Sequence, residues 1–128
     1  QSGADFGEIR ILLWNYGFEI FLNNPIFGSQ TTTAIGYPHN ILIEVLMATG
    51  LIGGIAFLFI LYKVFAKINF LNKIQSSLIW PGLLFIQYLV GAMFSGTIYN
   101  NSELWYSLGL LIAVNINDIK NQIKKKYF

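Results

Sequence analysis

From Ile41 to Phe65 the chain runs through twenty-five residues whose only charges are Glu44 near the start and Lys63 near the end. As a helix this run is about 37 Å long at about 1.5 Å per residue, more than the roughly 30 Å of a bilayer's hydrocarbon core. It predicts a membrane helix with both ends in the interfaces. Composition agrees: 55% of residues are hydrophobic and 11% charged, where a soluble domain carries about 25% charged.

Two further apolar runs follow. Residues 78–98 predict a second span, with Pro81 in its first turn and Gln87 as the strongly polar interior residue. Residues 104–116 predict a third, short unless Asn100–Glu103 join the helix. Before the first span, Phe6 to Asn24 predict a helix with two faces. Glu8, Asn15 and Glu19 fall together on one, and Phe6, Ile9, Leu13, Tyr16 and Ile20 form a stripe on the other. Its three charges suit an interfacial helix better than a span. Asn24 to Tyr37 predict a loop punctuated by Pro25 and Gly28. The expected fold is all-α: an amphipathic periplasmic helix plus three transmembrane helices of a polytopic membrane protein. Residues 1–40 form the periplasmic loop region, 41–117 the three-span region and 118–128 a basic cytoplasmic tail. The chain begins at Gln1 with no signal-peptide pattern and is expected to be a piece of a longer protein, whose N-terminal spans would pack beside these.

The lysines orient this topology. All seven lie between spans one and two (Lys63, Lys67, Lys73) or after span three (Lys120, Lys124, Lys125, Lys126). Asp5, Glu8, Glu19, Glu44 and Glu103 lie on the opposite side, with Arg10 as its single cation. The positive-inside rule assigns the lysines to the cytoplasm and residues 1–40 to the periplasmic or extracellular side. A net charge of +2 gives no reason to expect nucleic acid. The absence of cysteine excludes disulfides and thiolate chemistry, and a single histidine argues against a metal site.

Few residues on the outer side can carry chemistry. His39 sits where the loop becomes helix. The plain reading is a helix-start residue at the lipid headgroups. A helix already running at position 39 would put it on one face with Leu46, Gly50 and Gly53, turned into a bundle. Imidazoles as a class titrate near pH 6.5, which suits a general base. Asn40 and Glu44 are candidates to orient that neighbourhood. Arg10 lies on an aromatic face without an acidic residue within one turn. Its plain reading is a snorkelling interfacial arginine; if buried, it demands an external anion, and phosphate matches the guanidinium fork. Gly50, Gly53 and Gly54 form a small-residue pattern expected at a helix contact.

These residues together resemble the O-antigen ligase and O-antigen polymerase superfamily. The resemblance rests on Arg10 with Trp14, Asn24-Pro25-Ile26-Phe27-Gly28, Pro38-His39-Asn40-Ile41-Leu42 running through Glu44 to Thr49-Gly50-Leu51-Ile52-Gly53, and the late Leu104-Trp105-Tyr106-Ser107-Leu108-Gly109. It implies a polytopic bacterial inner-membrane glycosyltransferase that moves a glycan from a polyprenyl diphosphate carrier to an acceptor glycan or glycolipid, with no metal, cofactor or nucleotide sugar. Carried over, Arg10 would hold diphosphate and His39 would be the base of an inverting transfer. The chain departs from the family in supplying only three spans and no second diphosphate-binding arginine. The rival expectation is a non-enzymatic membrane protein, such as a polysaccharide transporter or flippase segment.

Overall fold

The computed structural model describes residues 6–74 and 78–115. Among them the chain is all-helical, with four helices and one isolated β-bridge between Thr33 and Gly36. The helices are α1 (Phe6–Asn23), α2 (Ile41–Ile74), α3 (Trp80–Ala92) and α4 (Ser102–Ala113). The basic tail 118–128, the end of the third predicted span and Asp5 lie outside the described residues.

Helix α2 is the axis of the fold. It begins where the sequence predicts, and the reason is local. The Asn40 side-chain oxygen accepts from the Leu42 and Ile43 amides at 3.1 and 3.3 Å, and its carbonyl accepts from Glu44 at 3.0 Å. Asn40 is therefore the N-cap, satisfying amides that have no intrahelical partner. Asn40→Ala is expected to cost about 1 kcal/mol, and Asn40→Asp to keep the cap. Thermal unfolding in detergent, compared across the two variants, checks this.

The predicted first span stops at position 65, yet α2 runs on to Ile74. Lys63, Lys67 and Lys73 mark where lipid would end, and nothing in residues 66–74 breaks a helix. At 34 residues, α2 is the one described helix long and apolar enough to cross a membrane. Its continuity is interrupted at Gly50, whose φ of 63° and ψ of −158° are not helical. The cause is a neighbour. The loop after α1 lies across the break, with the Pro25 carbonyl accepting from the Leu51 amide at 2.8 Å and the Ile26 carbonyl from Ile52 at 3.4 Å. In return the Met47 carbonyl accepts from the amides of Ser29 and Gln30 at 2.8 and 3.3 Å. Polar groups freed by the kink are thus paired with the loop, as an apolar setting requires. The small-residue reading changes accordingly. A Cβ at Gly50 would meet the Ile26 backbone, one at Gly53 the Thr49 side chain and one at Gly54 the Leu46 side chain. None of the three has a second helix as its nearest neighbour; the pattern marks a loop-capped break.

Helices α3 and α4 form a hairpin that packs along α2 from its start to its far half. Ile41, Val45, Phe57, Val64, Ile68 and Leu71 of α2 share one apolar core with Phe85, Ala92, Leu104 and Leu111 of the hairpin. Helix α3 opens with Pro81 in its first turn, where a missing amide costs nothing. It ends at Ala92, six residues before the predicted boundary, because the Ser95-Gly96 stretch turns the chain, with φ of 77° at Gly96. Helix α4 takes in Ser102 and Glu103, joining to its start part of the stretch that the sequence left open.

Helix α1 packs on the first half of α2 at Gly17, and Leu13 is buried as well. The predicted stripe is displaced, for Ile9 and Tyr16 are exposed. Gly17 is the reason, because a Cβ there would come within 2.5 Å of the Ile43 side chain, so the two helices meet closely along this line. The space beside Gly17 is filled by α2.

Candidate functional site

The loop end of α2 gathers most of the polar groups singled out in the sequence. His39 lies outside the helix, one residue before the N-cap, with φ of 53°. It therefore does not share a helical face with Gly50 and Gly53. A non-glycine residue in the left-handed region is uncommon and persists where its surroundings hold it. On one side Asn40 fixes the helix start, and on the other the Trp14 indole of α1 donates to the Pro38 carbonyl at 2.9 Å. Across the site the His39 Nδ1 lies 3.3 Å from the Gly96 carbonyl in the α3–α4 loop. A carbonyl only accepts, so this hydrogen bond assigns the proton to Nδ1 and leaves the lone pair of a neutral ring on Nε2. The His39 side chain is exposed.

Glu44 stands one turn into α2 and is 1% exposed. Its Oε2 accepts from the Ile98 amide at 2.7 Å, while Oε1 is buried and has no hydrogen-bond partner among the described residues. His39 and Glu44 thus grip one short loop segment at Gly96 and Ile98. The segment is shaped internally as well: the Asn101 amide group donates to the Thr97 carbonyl at 2.7 Å, and the Trp105 indole to the Ile98 carbonyl at 2.7 Å. Beside it the hydroxyls of Tyr37 and Tyr99 share a hydrogen bond of 2.6 Å, their rings edge to face at 6.1 Å. That pairing lifts the Tyr37 phenol above the ordinary tyrosine range.

Arg10 is exposed, on the turn of α1 that precedes Trp14. Of the two readings of Arg10, the exposed side chain fits the interfacial one, in which no desolvation cost demands an anion. What remains is location. Arg10 and Trp14 are four residues apart on one helix, and Trp14 reaches the residue next to His39. No described carboxylate forms an ion pair with Arg10. Among the described residues there is also no group of three or more histidine, cysteine or carboxylate side chains arranged to hold a metal.

Sequence reasoning did not single out Gly96, Ile98, Tyr37 or Tyr99. The first two were hidden inside a predicted span, where the Ser95-Gly96 pair was the available turn signal. Trp14 was noticed only beside Arg10, not as a donor to the loop.

No family model, curated protein or solved structure matches the chain.

Proposed function

We propose that this chain is the C-terminal part of a bacterial inner-membrane glycosyltransferase of the O-antigen ligase or polymerase type. It would act on a polyprenyl diphosphate-linked glycan and an acceptor glycan or glycolipid. The observation that carries the reading is His39, exposed at the loop end of a long apolar helix, with Nδ1 against the Gly96 carbonyl and Nε2 left as a base. In the reaction, Nε2 takes the proton of the acceptor hydroxyl as its oxygen bonds to the anomeric carbon. The anomeric carbon–oxygen bond to the carrier breaks, and polyprenyl diphosphate leaves with the electron pair. The configuration inverts. Arg10, cationic and solvent-facing, offsets charge growing on the departing diphosphate.

The matching topology has three crossings, with α1 on the periplasmic side and the lysines in the cytoplasm. Support comes from ties at two levels of the fold. At one end Lys67 donates to the Ile112 carbonyl at 3.0 Å, and at the other Glu44 accepts from Ile98. The α3–α4 hairpin thus reaches both levels that α2 reaches. Helix α3, at 13 residues, is only about 20 Å long, shorter than the roughly 30 Å hydrocarbon core.

The test is reconstitution of the full-length protein in liposomes with a polyprenyl diphosphate-linked glycan and a glycolipid acceptor. Transfer without added metal or nucleotide sugar is expected; no transfer to any acceptor offered would sink the proposal. In the same assay Arg10→Ala is expected to lower the rate by about 10-fold or more and Arg10→Lys by less, because lysine keeps the charge but not the fork.

A further inference from the structure

Glu44 is absorbed by no step of the transfer just described, yet it is buried and spends one oxygen on the backbone of a loop 54 residues away. That loop turns at Gly96, where φ is 77° and the Asn101 side chain lies only 3.0 Å from where a Cβ would stand. The Gly96 carbonyl faces His39, two residues before the amide that Glu44 holds. Anchoring Ile98 therefore fixes where the Gly96 carbonyl points. His39 itself occupies a left-handed conformation, so its ring direction is set by external ties.

We propose that Glu44 is a positioning residue that sets the tautomer and direction of the His39 ring through the Gly96–Ile98 segment. The inference rests on the glycan-transfer reading for its purpose, while its geometry stands apart from that reading. The chain of contacts is Glu44 Oε2 to the Ile98 amide, along the backbone to the Gly96 carbonyl, and across to His39 Nδ1. With the anchor in place the proton resides on Nδ1 and the lone pair on Nε2 faces outward. Without it the segment keeps only its ties to Asn101 and Trp105, the Gly96 carbonyl shifts, and the ring loses the bond that selects one tautomer. Orientation of this kind is how groups that never touch substrate govern a base.

The test uses full-length protein in detergent with ¹⁵N-labelled histidine, the His39 ring being assigned by comparison with His39→Asn. In the wild type the Nδ1–H form is expected in the neutral ring; a dominant Nε2–H form overturns the proposal without any variant. Glu44→Leu fills the buried volume but removes the acceptor, and a shift toward Nε2–H or a mixture is expected. Glu44→Gln retains an acceptor for Ile98, so the wild-type tautomer is expected. An unchanged ring in Glu44→Leu, or a changed one in Glu44→Gln, overturns the proposal. Glycan transfer is read in parallel, with about a 10²-fold loss expected for Glu44→Leu and recovery in Glu44→Gln. If transfer proves not to depend on His39, the function fails, while the ring spectra still decide the positioning.

Discussion

On the proposed function, His39→Asn in the full-length protein is expected to abolish display of the glycan at the cell surface and to lower transfer in vitro by about 10²–10⁴-fold, with normal expression. Asparagine is the informative choice because it is among the residues that tolerate the left-handed conformation found at position 39. It should keep the loop, the N-cap and the Trp14–Pro38 contact, and remove the base. His39→Ala adds local backbone strain to the same chemical loss, so the two variants separate stability from chemistry. Equal and severe loss of transfer, with Asn better folded than Ala, is the expected pattern. A His39→Asn protein that transfers at the wild-type rate would mean that the imidazole is a helix-boundary residue and no more.

The second large effect belongs to stability. Gly50→Ala is expected to destabilise by roughly 2–6 kcal/mol, combining a strained left-handed residue with a steric collision. Its Cβ would stand 2.4 Å from the carbonyl carbon and oxygen of Ile26, both backbone atoms with no rotamer to yield. Gly28→Ala meets the same fate from the other side, 2.4 Å from the Ala48 carbonyl carbon and Thr49 nitrogen. Gly53→Ala meets chiefly the Thr49 side chain, so its cost depends on whether that side chain can rotate away. Denaturant titration of the purified variants, with retention in the membrane fraction as a second measure, checks the ranking. Gly50→Ala as stable as the wild type would show that α2 can run straight and dispense with the loop.

The sequence carried the helical class and the start of α2, since Asn40 before an apolar run is a local cap and needs no tertiary information. It carried the loop at residues 24–37 through Pro25 and Gly28. It did not carry the helix ends that depend on packing. Apolar runs report where lipid suits the side chains, whereas helices stop where hydrogen bonds stop. Hence α2 outlasts its apolar run by nine residues, and α3 ends well inside one. Gly50 was legible as a special position, but not as a break, because a small residue in an apolar helix reads the same whether a helix or a loop lies on it. His39 was legible as a boundary residue. Its contact with Gly96 was not, since only the returning hairpin brings that carbonyl 57 residues back along the chain.

The loop-capped break in α2 also bears on how the chain is made. The carbonyls of Pro25 and Ile26 are synthesised before the amides of Leu51 and Ile52 that they serve. In the proposed topology, the capping loop has already crossed to the far side when the broken helix enters the bilayer. Its exposed amides then find their acceptors at once, without waiting for a later segment.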